Sequence, residues 1–139
     1  MDVTVPIYLR AVLAEKDIGS AIFKIYEGGI YHVEIKRGQK VTMDFVMQGY
    51  QFLDEFGGGQ YYNIYEFSSF SDVEPEVRDW AASPTNNSYT LVDAIVISSF
   101  PQKILADFYV RFNKPFKPTK IFTSVHSACE WIRSIEKEP

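Results

Sequence analysis

The sequence predicts an α/β domain in which a β-hairpin leads into alternating helices and strands. Three observations carry this expectation. Two β-prone runs, residues 21–26 and 31–35, flank the turn signal Glu27-Gly28-Gly29-Ile30. Apolar stripes at helical spacing then alternate with short strand-like runs. Late in the chain, Ala94-Ile95-Val96-Ile97 is a continuous apolar run, as in a strand covered on both faces.

The elements follow in order. Tyr31, Val33 and Ile35 alternate with His32, Glu34 and Lys36, the period of a strand with one wet face, so His32 is expected in solvent. Glycines accept the positive φ of a tight turn, which makes the first two strands an antiparallel hairpin. Thr42 is the N-cap of a first helix, and Asp44 suits the positive end of its dipole. Val46, Tyr50 and Leu53 form its stripe, and Gly57-Gly58-Gly59 ends it. Residues 61–67 form a strand. Pro75 near the first position of a helix costs no hydrogen bond, and Val77, Trp80 and Ala81 share its apolar face. After the central strand at 91–97, Ile104, Leu105, Phe108, Tyr109 and Phe112 sit at helical spacing. The corner at 113–118, with Pro115 and Pro118, breaks that helix. Residues 121–123 form a last strand. Ser124 or Ser127 caps a final helix with Val125, Ala128, Cys129 and Ile132 on its buried stripe. Strand–helix alternation implies parallel neighbours joined by right-handed crossovers. Residues 1–17 have a weak pattern and are expected as an N-terminal arm before one domain at 18–139.

Composition bounds the function. The 139 residues are 46% apolar and 23% charged, enough for one core without disulfides or metals. A net charge of −4 disfavours nucleic acid and anionic membranes as partners, and no apolar run is long enough for membrane insertion. The N-terminal residues lack the pattern of a signal peptide. Cys129 is the one cysteine, which fits a reducing, cytoplasmic setting. Asn86-Asn87-Ser88 matches a glycosylation sequon and is expected to be only a polar turn. Aromatic residues make up 16%, which suits a Phe-rich core or an exposed patch that binds a partner or apolar ligand.

Chemical motifs are sparse. Gly57-Gly58-Gly59 follows a helix, whereas a phosphate loop needs glycines leading into one. His32 and His126 have no ligand partners at metal-binding spacing. Cys129 reads as a core residue, not a reactive thiolate. The expectation is no enzyme, no metal and no cofactor. Acidic residues gather mid-chain at Asp54, Glu55, Glu66, Asp72, Glu74, Glu76 and Asp79, with Arg78 among them. Basic residues gather later at Lys103, Arg111, Lys114, Lys117 and Lys120. Complementary patches of this kind steer a partner or a second copy.

Several segments together resemble the SpoIIAA-like proteins, a bacterial family related to the STAS domain. They are Asp93-Ala94-Ile95-Val96-Ile97, Ala106-Asp107-Phe108-Tyr109, the corner from Asn113-Lys114-Pro115-Phe116 to Thr123, and Ala128-Cys129-Glu130-Trp131-Ile132. Glu76-Val77-Arg78-Asp79-Trp80 and the hairpin suit the same pattern. The resemblance spans roughly residues 18–136. It implies a mixed sheet of four or five strands with helices mainly on one face. It also implies a non-enzymatic regulatory module that binds a protein partner. A related fold, that of SEC14-like proteins, carries apolar lipids, which makes a lipid-like carrier the alternative.

Some STAS domains are switched by a phosphoserine at a helix start. Here that position reads Val73-Glu74-Pro75-Glu76-Val77, without the hydroxyl. Ser68, Ser69 and Ser71 precede it, and a phosphate there would meet the charges of Asp72, Glu74 and Glu76. The switch is therefore not expected. The expected interaction surface comprises Ser71, Asp72, Glu74 and Arg78 at the helix start, with Arg111, Lys114, Lys117 and Lys120 at the corner. The partners the sequence admits are an unidentified protein, a second copy of the chain and an apolar ligand.

Overall fold

A computed structural model describes residues 5–86 and 88–136. Asn87 of the sequon lies outside them, as do the first four residues of the expected arm. Among the described residues, eight strands and four α-helices follow in the order β1 (Val12–Asp17), β2 (Ala21–Tyr26), β3 (Ile30–Ile35), β4 (Lys40–Val41), α1 (Met43–Phe56), β5 (Tyr61–Phe67), β6 (Asp72–Val73), α2 (Pro75–Ala82), β7 (Thr90–Val96), α3 (Phe100–Phe108), β8 (Thr119–Phe122) and α4 (Val125–Ile135). One π turn, Tyr109–Asn113, extends α3.

The main sheet has six strands in the order β1-β2-β3-β5-β7-β8, and β4 pairs with β6 beside it. The first two pairings are antiparallel and the other three are parallel. The expected mixed α/β sheet is therefore present, but with six strands in place of four or five. The extra edge strand is β1, drawn from the segment expected as an arm. Its side chains are almost all exposed, so its sequence carries no burial pattern. Backbone pairing places it, with Ala14 against the core and Asp17 bridged to Lys36 at 2.9 Å. A register shift between Val12 and Ala14 and the charges of Glu15, Lys16 and Asp17 blunt this free edge.

Strand order decides where the helices lie. After β3 the chain adds β5, β7 and β8 in one direction across the sheet. Right-handed crossovers in one direction leave α1, α2 and α3 on the same face. On that face Phe23 and Phe45 meet edge to face at 5.7 Å, beside Phe52 and Val77. After the last strand, α4 returns over the opposite face, where Ala128, Cys129 and Ile132 pack on Ile30, Ile64 and Ala94. Ile7 joins this second core. Arg10 grips Glu136 through two 2.7 Å bonds, with the side chains only 1% and 2% exposed. The segment before β1 is thus tied to the end of α4.

Local signals match the boundaries. Thr42 Oγ1 accepts from the Phe45 amide, and Ser124 Oγ accepts from the Ser127 amide. Pro75 and Pro101 occupy the first turns of their helices. Among the described residues, no helix is long and apolar enough to cross a membrane.

Candidate functional site: a polar-ended cavity beneath three helices

The one-sided stacking of α1–α3 leaves a cavity of about 160 Å³ between helices and sheet. Its floor is β3, β5 and β7. Tyr31, Tyr65 and Ile95 stand on this face because each is two residues from its in-facing neighbour. Its roof includes Gly49 and Tyr50 of α1, Trp80 of α2 and Ala106 of α3, with Tyr109 of the π turn. Gly49 makes the fit possible: a Cβ there would lie 2.7 Å from the Tyr31 hydroxyl oxygen. Tyr50 is braced edge to face by Trp80 at 5.5 Å and by Tyr89 at 5.1 Å.

The wall is mostly apolar, with one buried carboxyl in it, that of Asp93. Asn63 and Asp93 sit opposite each other on β5 and β7. Asn63 Nδ2 lies 3.1 Å from Asp93 Oδ1, 2.8 Å from Thr90 Oγ1 and 3.1 Å from the Tyr65 hydroxyl. Asn63 Oδ1 is buried with no partner. Burial pushes the Asp93 carboxyl up to about 6, against the opposing pull of the Asn63 bond and of Lys117. Burial also pushes the Tyr31 and Tyr109 hydroxyls well above their ordinary value.

Gln102 closes one end. Its Nε2 donates to the Ser68 carbonyl at 2.8 Å and the Ser71 carbonyl at 3.2 Å, and its Oε1 accepts from the Ser98 amide at 2.8 Å. The start of α3 is thereby pinned to the loop after β5.

The residues expected at a helix-start surface are distributed differently. Ser71 is buried, donates to the Ser68 carbonyl, and lines the cavity with Asp72 and Arg78. Glu74 precedes α2 without a capping bond from its side chain. At the corner, Arg111, Lys114 and Lys120 are exposed and Lys117 is partly so. Lys114 adopts a left-handed backbone at φ 51° and ends the π turn. Asn113 donates to Asp79 at 2.6 Å and the Phe116 amide to the Ala82 carbonyl at 3.1 Å, which ties the corner to α2. The outer face of α3 and the π turn is apolar and open: Phe100, Ile104, Phe108 and Phe112 are all exposed.

His32 corrects the expectation of a solvated side chain. It is buried, and its Nε2 lies 2.9 Å from Glu66 Oε1. The expected wet face is absent, since β3 is buried on both sides: His32 shares the α4 side of the sheet with Ile30, and Tyr26 stacks on it at 6.2 Å. That bond holds the Glu66 carboxyl below its ordinary value. With Glu34, these residues bring three potential metal-ligand atoms within 4.8 Å of one another. Lys24 Nζ already sits 3.0 Å from Glu34.

Cys129 is buried, and burial raises its thiol to about 11, so it is held as an unreactive thiol. Asn63, Asp93 and Gln102 were the residues that sequence motifs missed. The available signal was polarity inside apolar runs, since Asn63 and Asp93 interrupt two core strands.

With this geometry in hand, comparison with known proteins gives one assignment. The chain belongs to the DUF7793 family. That family is described as a domain of unknown function, and the match covers residues 23–136. It takes in β3, every later element and the whole cavity wall of this DUF7793 domain. No curated protein and no solved structure matches the chain.

Proposed function

We propose that this chain is a non-enzymatic, STAS-like binding module that holds a small apolar or aromatic molecule beneath α1–α3. The carrying observation is the cavity itself. A volume of about 160 Å³ matches a single ring, since an apolar cavity of roughly 150 Å³ takes up benzene. A two-chain lipid needs several times that space, so size favours a ring-sized ligand over a lipid-like one. The aromatic wall supports the same reading. The hairpin, the strand–helix alternation and the helices crowded on one face support the STAS-like kinship.

The test is titration of the purified chain with toluene, followed by calorimetry. Saturable binding at a 1:1 ratio supports the module. Absence of saturable heat up to the solubility of toluene removes it.

A second reading, a regulatory protein-interaction module, is favoured by the open stripe of Phe100, Ile104, Phe108 and Phe112. The neighbouring Lys103, Arg111 and Lys114 suit a protein partner that offers acidic and apolar groups together. A stoichiometric partner bound by the native chain and lost with the K114E/K117E pair supports this reading. Equal recovery by both removes the corner from any interface.

A further inference from the structure

The cavity has an apolar body and an acidic end, and that asymmetry specifies its ligand further. Asp93 is 4% exposed and Asn63 is 3% exposed. Among the described residues the Asp93 carboxyl takes part in no ion pair, and its one side-chain hydrogen bond is to Asn63. Lys117 pulls on the carboxyl only through space, without an ion pair. Lys117 Nζ lies over the Phe116 ring at 5.8 Å, and Arg78 Nη1 donates to the Val73 carbonyl. The network is also short of donors. Asn63 Nδ2 has two hydrogens and three neighbours, while Asn63 Oδ1 has no partner. A buried carboxylate without a directly bonded counter-ion is costly, and a group that supplies both positive charge and N–H donors relieves it. Tyr50, Tyr65 and Tyr109 share the wall with Asp93. Tyrosine ring faces attract cations.

We propose that Asp93 is the anchor for an ammonium group and that the site takes a small aromatic amine, its ring in the apolar body of the cavity. This rests on the cavity being a binding site, as argued above. The amine donates to the free oxygen of Asp93. The ring occupies the space bounded by Gly49, Ile95 and Ala106.

The test compares three single-ring probes on the full chain by calorimetry: benzylamine, benzyl alcohol and benzoate. The expected result near neutral pH is benzylamine binding about tenfold or more tightly than benzyl alcohol, with benzoate weakest. D93N should remove the amine preference and leave benzyl alcohol within about twofold. Benzyl alcohol binding as well as benzylamine overturns the amine assignment and leaves the cavity reading standing. Failure of toluene and all three probes overturns both.

Should D93N not fold, acidification of the native chain tests the same point. The titratable and charged groups around Asp93 are Tyr31 from β3, Tyr50 from α1, Tyr65 from β5, Asp72 from β6, Arg78 from α2 and Tyr109 from the π turn, with Lys117 acting from the corner. Burial raises the tyrosine hydroxyls further above their ordinary value, so they stay neutral between pH about 4 and 8. An amine stays charged over that range, so protonation of Asp93 should erase the preference, and the same titration on D72N, which should lose the preference in the same way, separates Asp93 from the other carboxylate of the wall. A preference unchanged at pH about 4.5 overturns the proposal.

Discussion

Replacing Asp93 with Asn should stabilise the ligand-free protein at neutral pH and leave it little changed in acid. In the folded chain the carboxyl titrates at about 6 instead of its ordinary 3.8. Between those values the native state holds a proton that the unfolded chain has lost. Stability therefore falls as pH rises through this window, and it is highest, as far as this group is concerned, below about pH 3.8. The displacement corresponds to about 3 kcal/mol, an order-of-magnitude figure, fully expressed above pH about 7. Asn keeps the shape and an oxygen to accept from Asn63, without the charge. Urea unfolding of native and D93N protein at several pH values isolates the effect, because all other titrating groups are common to both. D93N should be more stable by about 2–3 kcal/mol at pH about 7.5, with the gap closing by pH about 4. A gap that does not vary with pH, or a D93N protein that is less stable at neutral pH, would refute the reasoning. A carboxylate kept at such a cost is the usual mark of a site whose function conflicts with stability.

Other changes probe separate features of the fold. Ala106→Leu adds three carbons to the cavity and should raise stability by about 1–2 kcal/mol after side-chain entropy, while abolishing toluene binding. Thermal unfolding and calorimetry together read both effects, and a lower Tm with binding retained would show the space lies elsewhere. Glu136→Ala leaves the buried Arg10 guanidinium without its bidentate partner and should cost about 3–5 kcal/mol by urea unfolding. Thr42→Ala removes the cap of α1 and should cost about 1 kcal/mol. Lys114→Gly relieves a left-handed backbone at φ 51° and should gain about 1 kcal/mol, measured the same way.

Much of the architecture was legible in the sequence because local chemistry and tertiary packing agree. Thr42, Pro75 and Ser124 start helices where expected, and the Gly28-Gly29 turn joins an antiparallel pair. β1 was not legible, because an edge strand with exposed side chains carries no burial signature. The short β4–β6 pair was hidden for a similar reason, being two residues long and defined only by its partner. His32 shows the limit of alternation: period two says which residues share a face, but what covers that face is decided by elements far away in sequence. The cavity was illegible for the same reason. Asp93 and Asn63 come from different strands, Gly49 and Ala106 from different helices, and only the one-directional strand order assembles them. The Ser71 hydroxyl donates to the Ser68 carbonyl, and Gln102, thirty-one positions away, donates to the Ser71 carbonyl in the cavity wall.

The central claim is that the space under α1–α3 is a binding site, and NMR titration of the isotope-labelled chain with toluene tests it most directly. Saturable shifts should centre on Gly49, Ile95, Ala106 and the Tyr31 ring, with the outer residues Phe100 and Ile104 unmoved. Shifts confined to that outer stripe, or no saturable shift at all, would contradict the claim.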